Sequence, residues 1–501
     1  MEDISRRGFV GAMGAGLVTG VGFSGSVVNV AGAKEASAAK DATAGSAKGA
    51  AAASAPADDP TARPGGVQWY EDQATAIAGI DKDWQDPSKT DPVLNEVMDQ
   101  ELVDHDVTLP DGTVVPAVYV NLRNRIDRMG KGVGTNPGPA GYQLLMHEWS
   151  EEDAAHELEM PFLAWFNAYD YAMVSGRDQQ ECAEILKDMA SRCLIYHVSR
   201  GGNDYYTLLP HINGFWEFCE LKHFYQNGGD STIFLPDNDR KCLDAVADFN
   251  ACGIFGPEHD DFINTFPLFH SYPISKDVIA EDEFQPYMDW RAIIRRQKNI
   301  TVSPCQCRLM WESLGIDWPT DQPTRTCLSL GEMAEYFKEN GIGEPVTQDE
   351  AIAIVEDAID HGMVPESIAT RDVDIICCCH GDSCGNLKGF LAGGGNNPSW
   401  KNFNAYVLSY DKDTCIRCGA CIDRCPMHAI EFGDDGFCLH NTTCVRCGQC
   451  VSVCPVQARV LRAREDFPEY PYDYLDCHEY YAKDRMLRGD IADFTDDRVE
   501  G

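Results

Sequence analysis

Between Trp149 and Glu220, Cys182, Ile185, Leu186, Met189, Ala190, Cys193 and Leu194 fall at i, i+3, i+4, i+7, i+8, i+11 and i+12. That stripe predicts one amphipathic helix, with Cys182 and Cys193 as core residues rather than ligands. Directly after it, β-rich runs at residues 195–198 and 205–209 flank Arg200-Gly201-Gly202-Asn203. Paired glycines between such runs predict a hairpin. Two further helices are expected over residues 329–340 and 347–361. Each opens on a capping box, Ser329-x-x-Glu332 and Thr347-x-x-Glu350, and each stops at a glycine, Gly341 or Gly362. The second of them should bury Ala351, Ile354, Val355, Ala358 and Ile359. Near the carboxyl end, residues 430–432 and 437–439 around Gly433-Asp434-Asp435-Gly436 predict a small hairpin. Helices mixed with short hairpin strands place the chain in the α+β class.

The remaining pattern divides the chain. Residues 34–66 hold Ala, Ser, Gly, Lys and Pro with no large apolar side chain, too little burial to offset ordering entropy, so they read as a flexible linker. Ahead of it, Ser5-Arg6-Arg7-Gly8-Phe9-Val10, a weakly apolar run to Val30 and Ala31-Gly32-Ala33 read as a twin-arginine signal over residues 1–33. Such a leader exports a protein already folded, to the periplasmic or cell-surface side of the cytoplasmic membrane; left uncleaved, it would be a membrane anchor. Residues 67–300 are expected to form a helical domain whose helix, helix, hairpin order resembles a winged helix. Residues 301–400 are expected to form a Cys-rich helical middle domain, 406–465 a second Cys-rich domain, and 466–501 an acidic, aromatic tail that packs over a domain surface.

With 501 residues, 44% of them hydrophobic, the chain has room for two or three cores. Its 80 acidic and 41 basic residues leave a formal charge of -39, which repels a phosphate backbone. Nucleic acid is therefore not an expected partner, and the winged-helix-like segment is read as structural or partner-docking. A DNA-binding redox sensor is disfavoured on the same ground. Gly130-Lys131-Gly132-Val133-Gly134 looks like a phosphate loop but lacks the Ser/Thr after Lys and the third dinucleotide glycine, so it is a turn-rich loop. His147-Glu148 does not complete a zinc-protease motif, because position 151 is Glu.

Cysteine placement changes the picture most, since seventeen of 22 follow residue 300. Cys415-x2-Cys418-x2-Cys421-x3-Cys425-Pro426 recurs 29 residues later as Cys444-x2-Cys447-x2-Cys450-x3-Cys454-Pro455. This is the bacterial ferredoxin run, in which the fourth Cys serves the other cluster. One [4Fe–4S] cluster is thus assigned to Cys415, Cys418, Cys421 and Cys454, the second to Cys444, Cys447, Cys450 and Cys425. Cys438 is left free. Residues 406–465 resemble a bacterial two-[4Fe–4S] ferredoxin, which implies one-electron transfer.

Upstream, Pro304-Cys305-Gln306-Cys307-Arg308, Thr326-Cys327-Leu328 and Cys377-Cys378-Cys379-His380-Gly381-Asp382-Ser383-Cys384-Gly385 gather seven more cysteines. Together with the ferredoxin run and the winged-helix-like segment, residues 145–465 are similar to a poorly characterised family of anaerobic, exported 4Fe–4S proteins. One departure stands out: a Cys expected ahead of the T-C-L run is missing from Trp318-Pro319-Thr320-Asp321-Gln322-Pro323, so no ligand set carries over from the resemblance. On chemistry alone, Cys305, Cys307 and Cys327 with one or more of Cys377, Cys378, Cys379 and Cys384 can complete a third Fe–S cluster, hold zinc, or remain disulfides or free thiols. Adjacent cysteines cannot all face one metal, so at least one of residues 377–379 must point elsewhere.

The leading expectation is an exported iron–sulfur relay that docks a basic redox protein, one that a membrane can carry. The alternative is a catalytic reductase with the layout of the reductive dehalogenases, its active site in the middle region fed by the ferredoxin domain. The sequence names no small-molecule substrate.

Overall fold

The computed structural model describes residues 92–109, 112–130, 132, 139–229, 269–313, 317–319, 321–392, 404–465, 470–488 and 491. The leader, the linker, most of the glycine-rich loop after Gly132, Cys242 and Cys252 lie outside them. Helix and strand are mixed as the α+β class requires, and residues 68–501 form one compact unit. Among the described residues no helix is long and apolar enough to cross a membrane.

A short ladder joins β1 (Val107–Thr108) to β2 (Val114–Val115). The amphipathic stripe forms the helix Gln179–Ser191, capped by the Asp178 carboxylate and burying Cys182, Leu186, Met189 and Ala190. Cys193 and Leu194, also buried, fall past its end, where the chain turns into β3 (Ile195–Arg200) and β4 (Asn203–Leu208). Gly201 and Gly202 both take positive φ, 59° and 82°, as a two-residue hairpin turn demands.

The scaffold of the middle region is a sheet made of β5 (Phe269–Ser271), β6 (Ile300–Ser303), β7 (Cys327–Leu330), β8 (Glu344–Pro345), β9 (Val364–Ile368) and β10 (Ile375–Cys379). Their order is β5-β9-β10-β7-β6-β8, and every pair is antiparallel. The sheet therefore recruits β5 from well before residue 300. Its core contains Val302, Leu328, Leu330, Val364 and Ile376, covered by Ala351, Val355, Ala358 and Ile359 of the helix Gln348–Asp360. That helix has the expected capping box: the Thr347 hydroxyl accepts from the Glu350 N–H at 3.2 Å and Glu350 returns a bond to the Thr347 N–H at 2.8 Å. Ile352 is buried in it, and Ile354 is half-buried at the edge.

The expected capping box at Ser329 does not form. Ser329 is buried inside β7, opposite Thr301 and Ile375, so ladder pairing already occupies its backbone. The helix starts instead at Gly331, whose φ of 57° turns the chain out of the sheet. Glu332 is released from capping and forms a fork with Arg200 at 2.6 and 2.7 Å, while the Tyr336 hydroxyl donates to the Ile195 carbonyl at 2.9 Å. These contacts fix the β3–β4 hairpin to the middle sheet.

The tail packs on the fold as a helix. Residues Tyr474–Arg488 form a helix that buries Tyr474, Cys477, His478, Tyr481 and Ala482 and lies against Pro92–Met98. Arg485, buried, pairs with Asp127 at 3.1 Å.

One buried acid ties stability to pH. Glu157 is fully enclosed and accepts from the Trp149 indole at 2.7 Å. Burial pushes its carboxyl up to about 8, against the pull of Trp149 and Arg125. The unfolded chain ionises this group near 4.5, so the stability it contributes is complete below that pH and is lost as pH rises towards about 8. The slope is at most about 1.4 kcal/mol per pH unit. Melting curves across this window should show Glu157→Gln flattening the loss; parallel wild-type and variant profiles would contradict the assignment.

Candidate iron–sulfur and thiol sites

The two C-x2-C-x2-C-x3-C runs fold as a backbone repeat. Arg417 and Arg446 both take φ 59°, Gly419 and Gly448 take 81° and 88°, and His428 and Gln457 take 47° and 53°. Each glycine opens a one-turn helix, Ala420–Asp423 or Gln449–Ser452. A left-handed residue there aims successive N–H groups inward, and Gly adopts it without strain. In each repeat the fourth cysteine accepts a backbone bond: Ala429 N–H to Cys425 Sγ at 3.3 Å, Ala458 N–H to Cys454 Sγ at 3.2 Å. Strands β11 (Tyr406–Tyr410) and β14 (Arg459–Ala463) pair across the repeat, with β12 (Ile430–Phe432) and β13 (Cys438–His440) as the hairpin between the runs.

Cys425 of the first run lines one small cavity with Cys444, Cys447 and Cys450 of the second. This is the crosswise set, and a cavity walled by four thiols with inward N–H groups fits a [4Fe–4S] cube. Cys415, Cys418, Cys421 and Cys454 occupy the equivalent positions of the repeat. Cys418 is exposed and Cys447 and Cys450 are buried, so the two sets differ in their access to solvent. Cys438 is buried beside Cys421.

The head is embedded in the middle region. Arg424 donates to the carbonyls of Ile359 and Asp360 at 2.7 and 2.8 Å, and the Gln449 amide to Ile359 and Met363 at 2.9 and 2.8 Å. These carbonyls lie at and just past the C-terminus of the helix Gln348–Asp360. Gly381 N–H donates to Pro426 O at 3.0 Å, so the loop between Cys379 and Cys384 rests on the residue after Cys425. A Cβ at Gly381 would stand 2.5 Å from that carbonyl.

Six of the seven upstream cysteines converge, three of them, Cys327, Cys377 and Cys379, through strand register. Across the sheet, Ser271 lies opposite Glu366, Glu366 opposite Cys377, and Cys327 opposite Ser303. Cys327 and Cys377 bring their sulfurs to 3.4 Å. Facing residues on antiparallel strands share a side, so Glu366, Cys377 and Cys327 form one row on one face. The two-residue period puts Cys379 on that face too and Cys378 on the other, where it is buried in the core. Cys305 follows β6 at the start of the helix Gln306–Ser313, Cys307 lies in its first turn, and Cys384 directly precedes the helix Gly385–Ala392.

Six of the thiols, Cys377, Cys327, Cys305, Cys307, Cys384 and Cys379, stand close enough to shift one another's ionisation, with Cys327 and Cys377 at 3.4 Å and Cys379 and Cys384 within 4.8 Å. Cys305 is held well below the usual thiol range by hydrogen bonds from Cys307 and Cys327, with Arg308 assisting. Cys384 is held low in the same way by Cys307 and Cys379, helped by the Leu387 N–H of its helix. The donor thiols Cys307, Cys327 and Cys379 are correspondingly pushed up. The twenty cysteines among the described residues are all free thiols.

Arg308, 1% exposed, ties the three cysteine segments together. It donates to Pro323 O at 2.9 Å, Thr326 Oγ1 at 3.1 Å, Cys378 O at 3.1 Å and Ser383 Oγ at 3.3 Å. Two buried acids also flank the thiols. Glu366 stands with Cys379 and Cys384, their ligand atoms all within 4.8 Å of one another. Glu220 is enclosed near Cys305 and Glu217, and burial drives its carboxyl well up. Neither carboxylate is visible from spacing, because only the fold brings Glu366 against the thiols and encloses Glu220 within the electrostatic reach of Cys305.

Comparison with protein families matches residues 414–458 to the 4Fe-4S dicluster domain. Neither the curated proteins nor the solved structures return a match to the chain. The match covers the ferredoxin repeat alone; it supports an iron–sulfur, electron-transfer role for the carboxyl-terminal region and reaches none of the upstream thiols.

Proposed function

We propose that this chain is an exported one-electron relay in which the ferredoxin head exchanges electrons between a basic redox protein and a further metal centre on the upstream thiols. Bound [4Fe–4S] clusters supply one-electron chemistry without making or breaking a substrate bond. The observation that carries the reading is the contact of Gly381 with Pro426. It brings the segment bearing Cys379 and Cys384 against the segment bearing Cys425. Cys447 belongs to the same apolar core as Cys378, Cys379 and Cys384, with Met427 and Val445. Exposed Cys418 and its exposed neighbour Ile416 mark the solvent end of the relay, and the Cys425 set, with Cys447 and Cys450 buried, its inner end. The winged-helix-like helices and β3–β4 hairpin are assigned to partner docking, and the acidic surface to steering a basic partner at a rate that falls with salt.

Six clustered thiols exceed the four that one zinc ion or one cube requires, and this surplus supports a second reading: a reductase whose catalytic metal sits among them. Iron and acid-labile sulfide analysis on protein purified without air, with an optical spectrum, tests both readings. About twelve iron atoms per chain are expected, against about eight for the head alone. Eight with one or more zinc ions makes the middle centre structural, and an additional visible chromophore favours the reductase. Colourless protein without labile sulfide after reconstitution defeats the relay.

A further inference from the structure

We propose that Glu366 is itself a metal ligand, the oxygen donor of a mixed thiolate and carboxylate corner built with Cys379 and Cys384. The inference rests on reading the upstream thiols as a metal centre, and deepens it by naming a donor outside the cysteines.

Glu366 occupies the middle of a strand whose five residues are all buried, in the second position from one edge of the six-stranded sheet. It is 0% exposed, and neither carboxylate oxygen has a hydrogen-bond partner within normal reach among the described residues. No Lys, Arg or His among the described residues forms an ion pair with it. The side-chain amide nitrogen of Asn386, which also lacks a partner, and the Cys379 thiol only partly offset its burial. A carboxyl group enclosed without a donor or cation is among the most costly arrangements a core can hold. A cation bound at this corner removes that cost.

The geometry is that of a ligand set. Register sets Glu366 opposite Cys377 and two residues from Val364, the partner of Cys379, so its side chain rises on the thiol face. Donors bonded to one zinc ion at about 2.0–2.3 Å stand about 3.3–3.8 Å apart. The donors of Glu366, Cys379 and Cys384 already lie within 4.8 Å of one another without an ion to draw them in. Cys307, whose thiol meets Cys384, stands next as a fourth donor. Cys305, Cys327 and Cys377 form the other end of the thiol chain and remain for the rest of the centre. A borderline divalent cation, Zn²⁺ or Fe²⁺, suits two thiolates and one carboxylate.

The experiment uses the full chain purified without air and loaded with iron or with zinc alone. It compares wild type with Glu366→Gln, Glu366→Cys and, on the neighbouring strand and the opposite face of the sheet, Cys378→Ser. Glu366→Gln should keep the head's optical band and about eight iron atoms. It should release the middle-site metal at a chelator concentration at least about 100-fold lower, since even residues that merely orient a ligand change affinity 10- to 100-fold. Glu366→Cys should restore retention, and Cys378→Ser should match wild type. Retention by Glu366→Gln at the wild-type level overturns the assignment while leaving the metal centre intact. Wild type that binds no metal beyond the head's iron overturns the metal centre, and Glu366 with it. X-ray absorption at the zinc edge of the zinc-loaded wild type decides the matter even if a variant does not fold: an oxygen donor is expected beside sulfur, and an all-sulfur shell refutes it.

Discussion

A Cys425→Ser variant purified without air should lose about four iron atoms per chain, and the loss should fall on the cluster of the second repeat. Cys425 belongs by sequence to the first run, yet its thiol lines the cavity of Cys444, Cys447 and Cys450. A serine hydroxyl is a poorer ligand for iron than a thiolate, and the Ala429 N–H that supports the sulfur at 3.3 Å cannot supply what is lost. Cys438→Ser is the matched comparison. Cys438 is buried within the same domain but stands on β13 outside both sets, so its iron content should stay at the wild-type level. Iron counts with electron paramagnetic resonance of the reduced proteins separate the outcomes. Equal losses in the two variants, or no loss in Cys425→Ser, would remove the crosswise assignment.

The second large effect is expected at Arg308. Burial works against its charge, and Cys305, Cys379, Cys327 and Cys307 around it hold it charged. Arg308→Met leaves these thiols without their cation and strands the Pro323 and Cys378 carbonyls. Removing one partner from a buried charged network costs about 3–5 kcal/mol. Arg308→Lys keeps the charge but not the planar fork that reaches three segments at once, so it should recover only part of the stability. Thermal melting with metal analysis gives the readout. Middle-site metal should fall in both variants, while the head, whose eight cluster cysteines all lie within its own repeat, keeps its iron at temperatures below the melt. A Lys variant as stable and as metal-replete as wild type would show that charge alone suffices and that the fork is dispensable.

Particular residues show how far the sequence could be read. The stripe from Cys182 to Ala190, the glycine pair at the β3–β4 turn and the Thr347 capping box are local devices, each complete within a few residues, and each appears where its pattern placed it. Ser329 has the same local signature as Thr347, yet it lies in a strand, because Thr301 and Ile375, 28 residues before it and 46 after it, supply the pairing that capping would have replaced. A pattern window contains no information on such partners. The tail's composition pointed to packing over a domain surface, but only the fold shows that a helix does it, with Tyr474, Cys477 and Tyr481 buried.

By itself the sequence determined the ferredoxin repeat. Thiol spacing, the glycines and the following prolines are short-range instructions that dictate how one loop wraps a cube, whatever the loop is attached to. Tertiary structure alone decided which of the seven upstream cysteines meet, that Cys378 turns from the rest, and that Glu366 and Glu220 stand beside them. The physical reason is register. In an antiparallel sheet a side chain's neighbours are set by pairing between segments tens of residues apart, and a shift of one residue would send Cys327, Cys377, Cys379 or Glu366 to the opposite face.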